Sequence, residues 1–360
     1  MIVTVNSQQL LVELRLISKV VPTKHAIQIL THVLLTADGN ALKLFATDTE
    51  VGLFTACSGE VQAAGTITVP AGKFLAMVEQ FPDLPVKLTL DRQLVVQCGG
   101  FTSRMQAQAA TDYSATPPTI EGTSRHLAAE QLKQLIARTR YAVNAEHSKS
   151  ILRGALLTCL DDKTIMASVD GRRLAVAYAK SENTDNQSYE AIIPAKILDI
   201  LDGMLEKGPI EIINGAQHLF FTLKNRVFFS RVLDGAYPNY QQIIPHDNDK
   251  QVVLNRNQFA SIMRRVLVAA EDSGSVYFSI SQGALQISSI SAEFGTADEI
   301  MPIMYDGLPL KVCINGKHVL NFLDSTAHEA VTMALRDADR NPALFMAGDD
   351  HIGVVILMRG

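Results

Sequence analysis

The stretch IIPAKILDILDGM, residues 192–204, decides the fold. Its isoleucine pair is typical of a strand end. Pro194 then favours the start of a helix, because the N–H that proline lacks would have no helical partner there. From Ile197 to Leu201 the apolar side chains recur with helical spacing. The stretch therefore predicts a strand that runs into a helix with one apolar face.

The same construction occurs twice more, as TVPAGKFLAMV at residues 68–78 and VCINGKHVLNFL at residues 312–323. Pro70, Pro194 and Asn315 hold the same place in the three copies, so the chain repeats with a step of about 120 residues. A unit of that size is too long for a solenoid repeat and long enough to bury its own core. The chain of 360 residues therefore contains three copies of one unit.

Each third also opens with a short strand and an amphipathic helix. These helices are predicted over residues 7–21, 128–143 and 255–270. Ser7 and Asn255 are the predicted N-caps of the first and third of them, because their side-chain oxygens can accept from the first free amides.

Alternating strands follow each opening helix, and polar linkers separate the thirds. The predicted turns are at residues 38–40, 161–163 and 281–283, and the predicted linkers are at 114–124 and 245–250. We therefore predict an α+β protein of three repeated domains, each with two helices beside antiparallel sheets. The predicted domains are residues 1–120, 125–245 and 250–360.

The composition restricts the functional class. Lys and Arg total 32 against 37 Asp and Glu, so the formal net charge is −5. This balance argues against a protein that holds nucleic acid by bulk charge, but it allows a basic face on an acidic exterior. The four cysteines are far apart, which predicts buried reduced thiols in a cytoplasmic protein. Neither a signal-peptide pattern nor an apolar run of about 18 residues occurs, so no membrane association is expected.

The sequence contains no complete enzyme motif. The glycine–lysine pairs at Gly72 and Gly316 lack the upstream glycine of a P-loop, and neither GxSxG nor HExxH occurs. Asp349, Asp350 and His351 have the chemistry of metal ligands, but adjacent residues favour a polar hairpin turn. We therefore predict a scaffold with no catalytic residue, no metal and no cofactor.

Two stretches, SVDGRRLA at residues 168–175 and SRVLDGAYPNY at residues 230–240, are similar to those of a known family. They resemble the bacterial DNA polymerase III beta subunit, the sliding clamp. The similarity extends to ATD at 46–48, VPAGKF at 69–74 and VVILMR at 354–359. Each stretch is a weak signal alone, but their joint order over three repeats is specific.

The resemblance implies a head-to-tail homodimer whose similar domains close a ring, with helices lining the hole and antiparallel sheets outside. Such a ring encircles double-stranded DNA without reading its sequence, and positive charge on the inner helices would suit the phosphates. The predicted DNA-binding residues are Lys24, Lys73, Lys149, Arg153, Lys196, Arg138 and Arg264.

The family's DNA-contact positions fall on Lys24, Gly72, Glu146, Ser150 and Ile151. Lys24 has the expected positive charge. Gly72 and Glu146 depart from the family pattern, so their neighbours, the lysines at positions 73 and 149, are the expected substitutes.

The second implied site is a groove between the middle and last domains. It receives short linear peptides from the DNA polymerase III alpha subunit, the clamp loader, other polymerases and repair proteins. Its aliphatic residues would form an apolar pocket, with Met358 as an adaptable wall and with Arg172 and Arg173 available to peptide carbonyl or acidic groups. The corresponding positions are Leu152, Val169, Gly171, Arg172, Arg173, Leu174, Pro238, Gln242, Ile243, Val354, Val355, Ile356, Leu357, Met358 and Arg359. Residues that depart from the commoner family pattern, which leave the peptide preference open, are Arg172, Gln242, Leu357 and Gly360.

For the dimer contact we predict that the strand at 101–109 meets an edge of the last domain near 268–273, because strand addition satisfies open edges. One alternative is a monomeric interaction module that keeps the groove and has lost the ring, which the departures at Gly72 and Glu146 motivate. A second alternative is an enzyme whose site has no recognised motif, which a perturbed acid–base pair in a deep pocket would favour.

Overall fold

A computed structural model of the chain describes residues 1–113, 118–160, 162–180, 188–205, 207–233, 235–293, 295–336 and 341–359. Some residues named in the sequence analysis lie outside these ranges. They are Asp161 of a predicted turn, residues 114–117 of the first predicted linker, Asp234 and Gly360. Within the described residues, helices lie beside antiparallel strands in each third of the chain, which confirms the α+β class.

The described residues form two α-helices in each repeat. Their bounds are α1 Ser7–Val20, α2 Ala71–Val78, α3 Ala129–Thr139, α4 Ala195–Asp202, α5 Arg256–Val268 and α6 Gly316–Ser325. Leu10 and Ile17 of α1 are fully buried, as are Phe259 and Met263 of α5. The apolar faces of these helices therefore form the cores, as their spacing predicts.

The strands of the first repeat are β1 Ile2–Asn6, β2 His32–Asp38, β3 Ala41–Thr47, β4 Val51–Ala63, β5 Gly65–Pro70, β6 Pro85–Leu90, β7 Leu94–Cys98, β8 Phe101–Met105 and β9 Gln108–Ala109. Those of the middle repeat are β10 Thr123–Ala128, β11 Gly154–Cys159, β12 Lys163–Val169, β13 Arg173–Lys180, β14 Tyr189–Pro194, β15 Pro209–Asn214, β16 His218–Leu223 and β17 Arg226–Arg231. Those of the last repeat are β18 Lys250–Asn255, β19 Ser275–Ser281, β20 Ala284–Ser291, β21 Gly295–Pro302, β22 Leu310–Asn315, β23 Ala330–Leu335, β24 Ala343–Ala347, β25 His351–Val355 and β26 Leu357–Met358.

The first compact unit comprises Met1–Ala128 and Lys207–Val232. Its strands follow the path β10-β15-β16-β17-β4-β1-β6-β7-β8, and β2, β3, β5 and β9 branch from it. β17 pairs with β4, which places Phe229 opposite Gly52. β8 ends the path, so its outer side carries no strand from the described residues.

The second compact unit comprises Ala129–Glu206 and Leu233–Gly360. One of its sheets has the order β14-β11-β12-β13-β25-β24-β23-β18, and the other has the order β21-β20-β19-β22-β26. β25 pairs with β13, which places Val354 opposite Leu174. β21 forms one edge of the smaller sheet within the described residues.

The middle repeat contributes to both units because each of its halves continues a sheet of a neighbouring repeat. An equivalent turn follows β3 in the first repeat and β12 in the middle repeat. Asp48 accepts hydrogen bonds at 2.9 and 2.8 Å from the amides two and three residues further on. Asp170 does the same at 2.9 and 3.1 Å. The next residue, Thr49 or Gly171, has a positive φ of 81° or 83°.

The N-cap of α1 differs from the prediction. Asn6, and not Ser7, caps the helix, because its side-chain oxygen accepts from the amides of Gln8 at 2.9 Å and Gln9 at 3.0 Å. The hydroxyl of Ser7 instead donates to the carbonyl of Pro82 at 2.9 Å. The predicted cap of α5 is confirmed.

Other helix boundaries also differ from the prediction by a few residues. Pro70 and Pro194 are the N-cap residues of α2 and α4, one position before the predicted first turn. The predicted helix at 128–143 ends at Thr139, and a 3-10 turn at Arg140–Ala142 completes it. The cysteines are all buried and free of disulfides, as predicted.

Candidate functional site

An apolar cluster in the second unit contains much of the predicted groove. Its buried members come from β11, β12, β13, β23, β24, β25 and two 3-10 turns, and we call them the groove cluster. They are Leu152, Leu156, Ile165, Ala167, Val169, Leu174, Val176, Tyr240, Ala334, Leu344 and Val354. Ile243 packs against the cluster and is half-buried. The structure thus brings together five predicted residues from three distant segments: Leu152, Val169, Leu174, Ile243 and Val354.

Strand alternation separates Val354 from its neighbour. Val354 is in the groove cluster, whereas Val355 belongs to the core of the last repeat, with Phe322 and Phe345. Leu357 packs against that same core. Successive side chains of a strand face opposite sides of the sheet. The prediction that Val355 and Leu357 line the groove is therefore corrected.

Met358 is not a member of the groove cluster. It pairs with Cys313 across β26 and β22, and its sulfur accepts a hydrogen bond from the Ser275 hydroxyl at 3.7 Å. The predicted role of Met358 as a pocket wall stays a prediction. Ile356, at 49% exposure, is held by its amide, which donates to the carbonyl of Arg172 at 3.0 Å.

The two arginines predicted for the groove lie at the turn between β12 and β13 and have different surroundings. Arg173 is held in place, since its Nε lies 2.9 Å from Asp170 Oδ2 and its guanidinium lies 5.5 Å from the ring centroid of Tyr141. Arg172 is exposed, and Gly171 beside it is exposed as well. Arg172 is therefore the cation at this turn that a ligand can reach. Pro238, Gln242 and Arg359 are also exposed.

Two residues near the groove cluster were missed by the sequence interpretation as site residues. The hydroxyl of Tyr237 accepts from the amide of Val169 at 3.2 Å, and burial raises the pKa of this phenol. Burial, together with the guanidinium of Arg173, lowers the pKa of His318 to about 4, so its ring is neutral at pH 7. Tyr237 lies within a family-like stretch, which could have indicated it. His318 comes from α6, and only the tertiary structure brings it near the arginines.

Arg138 does not lie on a DNA-accessible surface. Its side chain is 6% exposed, and its Nη1 lies 2.8 Å from Asp350 Oδ2. The same carboxylate contacts His328 Nε2 at 2.9 Å. A buried, paired guanidinium is unavailable to phosphates, so the prediction for Arg138 is wrong. The predicted turn at Asp349 and Asp350 is confirmed, but His351 is buried in β25.

The other predicted cations have different surroundings. Lys24, Lys73, Lys149 and Arg153 are exposed, and Lys196 is half-buried. The Nε of Arg153 donates to the carbonyl of His147 at 2.8 Å. Arg264 is exposed but forms an ion pair with Asp324.

Comparisons with known proteins agree with this fold. The family models of the DNA polymerase III beta subunit match residues 1–117 with the N-terminal domain, 126–239 with the central domain and 241–359 with the C-terminal domain. The chain belongs to the DNA polymerase III beta subunit family.

A curated relative, the beta sliding clamp of Pseudomonas putida strain KT2440, is 28% identical over 364 residues and covers 98% of each chain. The crystal structure of the DNA polymerase III subunit beta from Pseudomonas aeruginosa superimposes with a TM-score of 0.94 at 28% identity, covering 100% of both chains. A structure of the Pseudomonas aeruginosa sliding clamp bound to griselimycin gives 0.94 at 27% identity, again over 100% of both chains.

The described residues contain neither a metal-binding cluster nor a membrane-spanning helix. No three His, Cys, Asp or Glu side chains in that part of the chain are grouped in a way that would hold a metal ion. None of the helices in the same residues is both long enough and apolar enough to cross a membrane.

Proposed function

We propose that the chain is a DNA polymerase processivity factor that acts as a head-to-tail homodimeric ring around duplex DNA. One observation carries this proposal. The chain makes the same strand junction twice, β17 with β4 and β25 with β13, and leaves the third copy of each partner, β8 and β21, as sheet edges. Two chains can satisfy both pairs of edges at once, which closes a ring with no edge left over.

The two internal junctions also specify a register for the proposed contact. Phe229 lies opposite Gly52 at one junction, and Val354 lies opposite Leu174 at the other. The residues at the same positions of β8 and β21 are Arg104 and Thr296, which would therefore lie opposite each other in the proposed contact. Arg104 is exposed on β8, and Asp298 is exposed on β21. Opposite charges on the two edges favour their pairing. Residues 268–273, where the contact was predicted, instead form the end of α5 and the loop after it, so we transfer the contact to β21.

The first turns of three helices support a surface that faces the DNA phosphates. Lys73, Lys196 and Lys317 lie in the first turns of α2, α4 and α6, and none of these first turns contains an acidic residue. A lysine there opposes the helix dipole, at a cost of about 0.3–1 kcal/mol, and a nearby phosphate would reverse the sign of that effect. We propose that these helices face the DNA, with Lys24, Lys149 and Arg153 adding positive charge.

The net charge of −5 argues against holding DNA by bulk charge. Such a chain would hold DNA by enclosing it, with contacts to the phosphates that are independent of sequence. The ring itself carries out no chemistry and needs no cofactor in this proposal, and it acts in the cytoplasm.

The groove cluster is the proposed docking site for linear peptides of the DNA polymerase III alpha subunit, the clamp loader, other polymerases and repair proteins. Half-buried Ile243 and exposed Ile356 and Pro238 offer apolar surface, and exposed Arg172 offers a positive charge. Two buried Leu or Phe anchors contribute about 1.5–3 kcal/mol each before ordering costs, which gives micromolar affinity. An acidic residue beside the anchors would pair with Arg172.

The solution mass and a topology assay test the ring. Sedimentation should give a dimer at micromolar concentration, whereas a persistent monomer would favour the interaction module that has lost the ring. Clamp loaded onto nicked circular DNA should stay bound in high salt and leave when the circle is cut. Loss from the intact circle in high salt would contradict enclosure, because electrostatic binding weakens steeply with salt.

A further inference from the structure

The first unit contains a backbone copy of the groove. β17 pairs with β4 there, as β25 pairs with β13 in the second unit. The hydroxyl of Tyr113 accepts from the amide of Thr47 at 3.2 Å, which matches the bond of Tyr237 to Val169 at 3.2 Å. Equivalent 3-10 turns, Gln28–Thr31 and Ser150–Arg153, supply a buried leucine to each site. The β17–β4 and β25–β13 junctions are therefore built in the same way.

Aromatic side chains occupy the copy in the first unit. Phe45, Phe54 and Phe229 stand at three positions where the groove cluster has alanine or valine. Their counterparts are Ala167, Val176 and Val354, respectively. The rings of Phe45 and Phe54 are stacked with centroids 4.4 Å apart, and those of Phe54 and Phe229 are 6.2 Å apart.

A glycine makes room for this packing. A Cβ on Gly52 would lie 2.2 Å from Cζ of Phe229, so any side chain at position 52 would overlap the ring. The groove cluster has Leu174 at the equivalent position. Glycine at position 52 and phenylalanine at position 229 thus act together to fill the site.

We infer that the junction of the first and middle repeats is a second groove that the chain fills with its own phenylalanine side chains, so that each chain binds one apolar peptide and not two. Phe45 and Phe229 are buried, as are Ala167 and Val354 at the equivalent positions, but the phenylalanine rings are much larger and leave less room for a ligand's anchors. The inference rests on the proposed function, because it takes the groove cluster to be the peptide site.

Wild-type protein provides the first test. The probe is a short synthetic peptide with leucine and phenylalanine anchors and a benzophenone group. Calorimetry should give one peptide per chain, and photo-crosslinks should map to the groove cluster alone. Two peptides per chain, or a crosslink near Leu30 or Tyr113, would overturn the inference while leaving the groove intact. Absence of binding would instead overturn the proposed peptide function, and the inference with it.

A transplanted junction provides the second test. The variant carries Gly52→Leu, Phe45→Ala, Phe54→Val and Phe229→Val, which gives the first unit the side chains of the groove cluster at these four positions. It is made in a chain whose own groove is blocked by Ile243→Glu. The blocked chain should bind no peptide, and the transplant should regain one site per chain. A transplant that melts cooperatively and still binds nothing would contradict the inference. If the transplant does not fold, the wild-type crosslinks still decide.

Discussion

The guanidinium of Arg226 holds the carboxylate of Glu13 in a two-pronged ion pair, with Nη2 at 2.6 Å from Oε1 and Nε at 3.0 Å from Oε2. The side chains of Arg226 and Glu13 are 13% and 8% exposed. The second unit has a pair of opposite orientation, in which the helix supplies Arg138 and the following repeat supplies Asp350. The opening helices of the first and middle repeats are thus each tied to a hairpin of the next repeat by a charge pair, with the acid and the base exchanged, although Asp350 is 40% exposed.

The Glu13–Arg226 pair predicts a large loss of stability when one partner is removed. Arg226→Met leaves the Glu13 carboxylate buried without its partner and should lower the free energy of unfolding by about 3–5 kcal/mol. Adding Glu13→Leu should recover most of that loss, because an apolar pair needs no desolvation of charge. Urea denaturation measures both. In the matched control, Arg15→Met at the exposed Arg15–Glu79 pair, the change should stay below about 1 kcal/mol. Equal losses at the two pairs would contradict the prediction.

The burial of His351 predicts a loss of stability in mild acid. Burial, with Arg138 next to it, lowers the pKa of His351 to about 4. Because the folded pKa lies below the unfolded value, the stabilisation is complete above about pH 6.5 and is lost as the pH falls toward 4, up to about 3 kcal/mol. His351→Phe should flatten the dependence between pH 7 and pH 5, at the cost of the 3.0 Å hydrogen bond to the Arg138 carbonyl. Exposed His246→Gln is the control and should leave the slope unchanged.

Adjacent valines of β25 allow a matched test of the groove. Val354→Ala and Val355→Ala each remove the same buried groups and should destabilise the fold to a similar extent. Val354→Ala should also weaken peptide binding about tenfold, whereas Val355→Ala should not, since its side chain faces the core of the last repeat. Fluorescence anisotropy with a labelled peptide separates the two. A groove lined by both residues would show equal losses of affinity.

The proposed β8–β21 contact predicts a charge-dependent dimer. Thr296→Arg would set a second cation opposite Arg104 and should shift the chain toward monomer in sedimentation experiments, because like charges directly across a strand pair repel. Combining it with Arg104→Glu should restore the dimer. If Thr296→Arg leaves the dissociation constant of the dimer unchanged, the β8–β21 contact does not have the register of the two internal junctions.

The family was indicated by the resemblance of several short motifs in their order along the chain. Sequence periodicity was sufficient for the repeats and the buried helix faces, since each depends on residues close together in the chain. Asn255 was correctly assigned as a cap for the same reason. Ser7 was not, because two adjacent polar residues can both cap a helix and only the backbone geometry of Asn6 selects between them.

By itself, the sequence determined that one α+β unit is copied three times, because hydrophobic spacing and turn residues are local properties, and its short motifs carried the resemblance to the sliding clamps. The tertiary structure alone decided that Arg138 is buried against Asp350, that Val354 and Val355 serve different cores, and that Phe229 fills the space over Gly52. These outcomes depend on which strand lies beside which and in what register, and that is settled by packing between segments far apart in the chain.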